Sequence, residues 1–380
     1  PSANHLVSRA RIGYTAKANN DLKFVSMFEL DYNYWGNSSY VNARGGGGAL
    51  GADTVNIETK NLYLDANVAK NTNLKLGMQG YSDAFKGAFV DADMAGALVS
   101  HSYDKATAAV GFFRWEDKAT TTLGRQTRDV LVLDGKYDLS KHTKLGAAYY
   151  FVKDNSKNFA DANQTIHVLG VNAESVVGAV TLDGFLAAQL GEVENTQKDL
   201  SAYAASVGAK MKIGKGALRA DILYTSGDNG AAGKSKSHAW QSISNTGKYS
   251  ETGYYAHEMV ILGRDKYATT IDNAIVMDAS NANHGVIFAT LGYDMPITSK
   301  LDGSANVGFA RNDKARTGDV NTEKNLGTEL NAELVYKATD NVSISTRAAY
   351  VFLGDHFRGV ATNGTPDNPY DFKIVAKYSF

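Results

Sequence analysis

The residues that could do chemistry in this chain of 380 residues form no catalytic constellation. Its eight histidines, at positions 5, 101, 142, 167, 238, 257, 284 and 356, are scattered without an i,i+2 or i,i+4 pair. Isolated histidines beside turns are ordinarily solvated rather than metal-bound. There is no cysteine, which removes a thiol nucleophile, a thiolate zinc site, an iron–sulfur cluster and a disulfide framework. No G-x-S-x-G elbow, Walker loop or H-E-x-x-H motif occurs. The run Gly45–Gly48 leads into Ala-Leu-Gly with no lysine and no helix signal, so a flexible exposed loop is a better reading than a phosphate cradle. We expect no enzymatic activity, no metal and no cofactor.

What does form a pattern is charge. Arg9, Arg11, Lys23, Lys75, Arg114, Lys136, Arg219, Arg347, Lys373 and Lys377 fall on the polar side of alternating segments. Glu29, Asp31, Asp65, Asp134, Asp221, Glu329, Glu333 and Asp371 share that side. Charges of both signs on one face suit a wet, ion-permeable lumen with a strong transverse field. The plainer reading is that they pair across strands and hold a wall together. Both hold at once, because wall pairs still line a channel.

The elements that would carry these charges are strands. At the end of the chain Tyr370, Phe372, Ile374, Ala376, Tyr378 and Phe380 fall on one face, against Asp371, Lys373, Val375, Lys377 and Ser379 on the other. A period of two means a strand with one apolar and one wet face. The same rhythm runs through 22–34, 326–337 and 341–353, and more weakly through thirteen further segments beginning at 6–16. Segments of ~10 or more residues exceed the usual strand and match a tilted membrane crossing. Short turns at 18–21, 70–73, 104–107, 139–143, 214–216, 296–300 and 339–341 alternate with long loops at 36–54, 83–93, 154–163, 191–199, 226–283, 312–325 and 355–369. Aromatics on the outward parity gather at the strand ends: Tyr32, Tyr34, Phe113, Trp115, Tyr149, Phe151, Tyr224, Phe309, Tyr350 and Phe352 near long loops, and Tyr137, Tyr293 and Tyr378 near the other rim. That sorting predicts two interfacial girdles.

Composition agrees. With 39 Lys+Arg against 40 Asp+Glu the formal charge is −1, without the basic excess of a nucleic-acid binder. An apolar share of 43% with 10% aromatics excludes a disordered acidic chain. The mean hydropathy is −0.29, and no apolar run approaches the ~18–20 residues of a membrane helix; a transmembrane β-barrel averages out as hydrophilic and stays open. With no composition shift along the chain, one domain spanning 1–380 is expected. The count is seventeen strands, the first and last running toward the short-turn rim. An even antiparallel barrel then needs one more strand before residue 6. Pro1 is not an initiator methionine and no signal peptide opens the chain, so a missing N-terminal segment is expected to supply it. This makes eighteen strands, with sixteen as the alternative. A hairpin at 257–263 and 269–277 would add two without mending the parity.

The C-terminal stretch DFKIVAKYSF resembles the closing strand of Gram-negative outer-membrane proteins: Phe380 is last, Tyr378 lies two before it, and Ala376, Ile374 and Phe372 alternate behind. With the strand and loop rhythm, the whole chain resembles a porin of sixteen to eighteen strands at the level of architecture. The resemblance implies an all-β, transmembrane, antiparallel up-and-down barrel in the bacterial outer membrane. It also implies contact with outer-membrane lipid and recognition of Phe372, Ile374, Tyr378 and Phe380 by the barrel-assembly machinery. No nucleic-acid partner is expected.

A lumen of this size is too wide for side chains to fill, so two loops become candidates to narrow it. The first, 83–93, carries Asp83, Asp91 and Asp93 with Lys86 between them; it lacks the ligand spacing of a calcium loop. An exposed surface loop is its equal alternative. The second, 226–283, joins a charged half (Lys234, Lys236, Lys248) to an apolar piece, Met259-Val260-Ile261-Leu262. Loops of that length are commonly functional or disordered. It either folds into the lumen or packs between protomers of a homo-oligomer such as a trimer. The functional expectation is a passive diffusion pore for small hydrophilic solutes and ions. Alternatives are a selective channel for anionic sugars or carboxylates, and a sheath around an electron-transfer cytochrome.

Overall fold

A computed structural model describes residues 3–37, 46–51, 55, 57–159, 162–193, 198–233, 235–243, 258–267, 274–362 and 364–380. The side chains of 31, 32, 157–159, 162, 163, 193 and 198 lie outside the description. One antiparallel up-and-down sheet holds eighteen strands. In chain order they are β1 (Val7–Lys17), β2 (Leu22–Tyr34), β3 (Ile57–Ala69), β4 (Thr72–Ser82), β5 (Asp91–Ser102), β6 (Ala106–Asp117), β7 (Thr127–Ser140), β8 (Thr143–Phe159) and β9 (Ala162–Val177). Then follow β10 (Val180–Val193), β11 (Lys198–Ile213), β12 (Gly216–Thr225), β13 (Lys236–Ser237), β14 (Val286–Pro296), β15 (Leu301–Asn312), β16 (Asn325–Lys337), β17 (Val342–Leu353) and β18 (Tyr370–Tyr378). Seventeen are wall strands. β13 is a two-residue strand of the long connection, laid parallel on the end of β11, and β12 pairs directly with β14.

Every other wall strand pairs with its sequence neighbour, which is what short turns permit in an antiparallel sheet. β1 and β18 both run toward the short-turn rim, and among the described residues no ladder joins them. Residues 3–6, ahead of β1, are irregular. Curvature is nevertheless plain. Lys86, between β4 and β5, donates to Asp221 of β12 at 2.8 Å, whereas on a flat sheet with strands about 4.8 Å apart β5 and β12 would lie more than about 30 Å apart.

The loop boundaries differ from expectation in two places. β8 runs on to Phe159 and β9 begins at Ala162, and β10 and β11 stay paired out to Val193 and Lys198, so the described residues of the expected loops 154–163 and 191–199 are strand. Conversely 118–126 is a long connection. The suggested hairpin in the long segment is not formed in what is described. Gly263 bridges Val276 in parallel, and residues 257 and 268–273 lie outside the description.

Outward residues form an apolar belt. On β18 Phe372, Ile374 and Tyr378 are exposed by 63%, 66% and 64%, and the alternate residues Asp371, Lys373 and Val375 are half-buried. The same alternation exposes Ile12 and Tyr14, Leu62 and Leu64, Leu131 and Leu133, and Leu330 and Leu334. A continuous apolar belt on a sheet's convex face is stable only against lipid. Ile374→Lys should therefore destabilise the folded barrel by ~2–4 kcal/mol if it sits near mid-bilayer, whereas Val375→Lys, on the other face, should cost much less. Urea unfolding in lipid vesicles measures both, and equal costs would overturn this sidedness.

Candidate functional site

Two connections turn into the barrel and meet there. The first, residues 83–90, is organised by a single carboxylate. Asp83 Oδ1 accepts the amides of Phe85 (2.6 Å) and Gly87 (3.0 Å), and Oδ2 those of Phe89 (2.7 Å) and Val90 (2.6 Å). Burial pushes the Asp83 carboxyl up to about 6, against the pull of these four donors. Lys86 and Gly87 take positive φ, 60° and 76°, which tightens the turn and aims the lysine across the interior. Its ammonium pairs with Asp183 and Asp221 and donates to Ser206 at 3.1 Å. Phe85 packs against Tyr150 and Phe185, with ring centroids 5.7 and 5.5 Å away, and Phe89 stacks on Tyr150 at 5.6 Å. Gly170 makes room, because a Cβ there would lie 2.6 Å from the Phe85 ring.

Replacing Asp83 by alanine would leave four buried amides without their acceptor, at about 1–3 kcal/mol each where water cannot replace it. Asp83→Ala should loosen this connection while the wall stays folded, giving flickering open-channel current in planar bilayers. A quiet channel of unchanged conductance would show that the connection does not border the conducting path.

The described parts of the second connection, between β12 and β14, lie against the first and against the opposite wall. Trp240 is fully buried, and its Nε1 donates to the Ala88 carbonyl at 2.9 Å; the Ile243 amide donates to the Phe89 carbonyl at 2.8 Å. Gln189 of β10 exchanges two hydrogen bonds with the backbone of Gln241, at 2.7 and 2.8 Å. Further on, Glu329 of β16 accepts three successive amides, from Val260 (2.8 Å), Ile261 (2.9 Å) and Leu262 (2.6 Å). Met259 and Leu262 are wholly buried. Gly308 seats Met259, whose sulfur would lie 2.3 Å from a Cβ at that position. Asp265, also buried, pairs with Arg347 of β17 and with Lys373 of β18, the latter at 2.7 Å. Lys266 pairs with Glu333, and Tyr267 donates to the same carboxylate at 2.9 Å. Burial alone would lower the Lys266 ammonium, but Glu333 and Glu258 hold it above the usual lysine range.

These contacts sort the charged residues singled out in the sequence. Glu329, Glu333, Arg347 and Lys373 point inward, yet the first three are buried beneath residues 258–267 and serve as anchors for that segment. Arg9 and Arg11 pair with Glu29, the former at 2.7 Å. Lys23 pairs with Asp65 at 3.1 Å, and Arg219 with Asp294 at 2.6 and 2.8 Å. Asp134 accepts from Tyr81 at 2.9 Å. Lys136 and Lys377 keep the inward parity of their strands, and the Asp31 side chain lies outside the description.

Arg114 is a correction. Phe113 is fully buried, and Trp115 packs toward Phe89 at 6.3 Å. These two aromatics take the inward face of β6 and leave Arg114 on the other, where it binds Asp129 at 2.8 Å. They are therefore not part of an outer girdle. Asp91 and Asp93 belong to β5 rather than to the loop. Asp93 pairs with Lys60 of β3 at 2.6 Å, and Asp91 lies within electrostatic reach of Lys60, Asp93 and Arg264. Two acids and two bases, one base from each of two distant parts of the chain, thus border one another. Lys60 and Arg264 were not singled out beforehand. Lys60 reaches this place through a bulge at Asn61/Thr59 that reverses the parity of β3.

The sequence reading also missed the apolar half of the interior. Val130, Val132, Tyr150, Val152, Ile166, Val168 and Phe185 of β7–β10 form one buried cluster with Phe85, Phe89 and Trp240. The signal was present: Val130-Leu131-Val132-Leu133 is apolar on both faces of its strand, the mark of a strand covered on both sides.

No protein-family model and no curated protein matches the chain. Solved structures from Pseudomonas aeruginosa do share its fold. OpdK, solved with vanillate, is 13% identical, covering 99% of this chain and 93% of that chain with a TM-score of 0.59. OccK2 (OpdF) is 14% identical, covering 99% and 91%, also with a TM-score of 0.59. OccK3 (OpdO) is 16% identical, covering 99% and 93%, with a TM-score of 0.55. At these identities the likeness is one of fold, and the fold is that of an outer-membrane porin barrel.

Proposed function

We propose that the chain is a non-enzymatic channel of the bacterial outer membrane, passing small hydrophilic solutes and ions passively through a lumen narrowed from inside. The carrying observation is the meeting of the two inward connections, through Trp240 with Ala88 and Ile243 with Phe89. A wall of this size encloses an aqueous channel unless something fills it. Here one flank is packed solid, and the charge pairs of β1–β3 border the rest. The C-terminal Phe372, Ile374, Tyr378 and Phe380 fit recognition by the barrel-assembly machinery during insertion. A homo-oligomer such as a trimer is compatible with the exposed belt. Interior packing of this kind speaks against a sheath for a cytochrome.

Conductance in planar bilayers under a salt gradient tests the proposal. The acids and bases that border the lumen are largely paired with one another, so their fields compensate. The expected reversal potential is therefore close to zero, well short of the ideal for either ion. A protein that folds into vesicles but never conducts would sink the reading.

A selective channel for small carboxylates or anionic sugars is the second reading. The juxtaposition of Lys60 and Arg264 with Asp91 and Asp93 favours it, as does the vanillate, itself a carboxylate, in the OpdK structure. Vesicle swelling with vanillate against a neutral sugar of similar size separates the two readings; equal rates leave only the general pore.

A further inference from the structure

Charge is not spread evenly along the barrel axis. Of the eight short turns, seven carry a lysine, either within the turn or on the residue just before it. These are Lys17, Lys70, Lys105 and Lys141 between β1 and β8, and Lys215, Lys300 and Lys337 between β11 and β17. The turn at 178–179 has none. All seven side chains are exposed. Among the described residues only Lys337 has an ion-pair partner, Asp302 at 2.7 Å. The same turns hold three acids, Asp21, Asp104 and Asp340. This rim is therefore positive although the whole chain is formally −1.

Backbone hydrogen bonds fix the turns against one another. The Asn67 amide donates to the Asp21 carbonyl at 2.8 Å, Ser102 to Asn71 at 2.9 Å, Asp138 to Lys105 at 2.7 Å and Val176 to His142 at 2.8 Å. Lys337 donates likewise to Lys300 at 2.8 Å. Each of these turns is tied to the strand that follows its hairpin, so the lysines stand on a stitched ring. Neighbouring turns are two strands apart, about 10 Å at the usual strand spacing. That is about the Debye length at 0.1 M salt; at 0.01 M it grows to about 30 Å, and the fields merge even across 178–179. Charges inside the lumen behave differently, because they are paired: Arg9 and Arg11 with Glu29, Lys23 with Asp65, and Lys60 with Asp93.

We propose that this lysine ring is the charge-discriminating element of the channel, concentrating small anions and repelling cations at the short-turn mouth when ionic strength is low. The proposal rests on the channel reading above and adds to it the groups that select. A rim potential of about one thermal unit enriches a monovalent anion about threefold and depletes a cation as much. At 1 M salt the Debye length is about 3 Å, and the ring no longer reaches a passing ion.

Reversal potentials across planar phosphatidylcholine bilayers test it, under a KCl gradient of about threefold set once near 0.01 M and once near 1 M. The parent should pass chloride about threefold more readily than potassium at the low salt, and both ions equally at the high. In the Lys70→Glu/Lys105→Glu/Lys141→Glu/Lys300→Glu variant the low-salt preference should turn toward potassium, with conductance at 1 M unchanged. The glutamine variant at the same four positions, which adds no repulsion, should fall between the two. Heat-modifiable mobility checks that each barrel is folded. Equal passage of chloride and potassium by the parent near 0.01 M would overturn the proposal and leave the pore standing. A chloride preference that survives charge reversal would also overturn it, placing the selecting groups inside the lumen. A folded parent that fails to conduct at 1 M would sink the channel reading, and this proposal with it.

Discussion

Replacing residues 239–280 with a short glycine–serine linker should raise single-channel conductance on the order of twofold or more, because flux follows the free cross-section of the narrowest part. The removed stretch carries Trp240, Ile243 and the segment 258–267, whose contacts tie the first connection to the wall of β16–β18. Glu329, Glu333 and Arg347 would then be uncovered. They bring two acids and one base into water, so a modest shift toward cation preference should accompany the larger current. Unchanged conductance with an oligomer lost on a native gel would instead assign the segment to packing between protomers. If neither conductance nor oligomer changes, the segment shapes neither.

Arg347→Ala should have the second-largest effect. The Arg347 side chain is 1% exposed and Asp265 is 0% exposed, and the guanidinium also donates to the Glu258 carbonyl at 2.9 Å. Breaking a buried pair from one side costs about 3–5 kcal/mol, since the remaining charge keeps its desolvation penalty. Lys373 stays beside Asp265 at 2.7 Å, which places the cost toward the lower end. The wall ladders do not depend on this pair. The loss should therefore show as release of 258–267, with noisy current drifting toward that of the linker variant, and not as unfolding of the barrel. Arg347→Lys should be intermediate, because an ammonium cannot reach Asp265 and the Glu258 carbonyl with the same planar fork. An Arg347→Ala channel as quiet as the parent would show that the three amide contacts to Glu329 suffice by themselves.

The legible part of this fold is what has a period. Strand identity, face and direction follow from alternation, and a one-residue slip would turn every side chain over. That is why Phe372, Ile374 and Tyr378 stand outside and Lys373 inside as their order demands. The alternation fails where a bulge or a second apolar face intervenes. At β6 the aromatics Phe113 and Trp115 look like girdle residues, but Phe113 is buried against Tyr81 of β4 and Trp115 half-buried toward Phe89, because the inward connection offers apolar surface just there. Nothing local to β6 announces that partner.

The sequence by itself determined a membrane-spanning antiparallel barrel, its seventeen long strands and its one outsized connection, since backbone hydrogen bonding and lipid contact are satisfied strand by strand. Only the tertiary structure decided what fills the lumen. A charge such as Glu329 or Arg347 reads identically whether it faces water or three backbone amides from a loop some seventy residues away. That choice depends on whether burying Met259, Leu262, Phe85 and Trp240 together outweighs the entropy of ordering two long connections. Such a balance is struck between distant segments, and no periodicity in one of them records it.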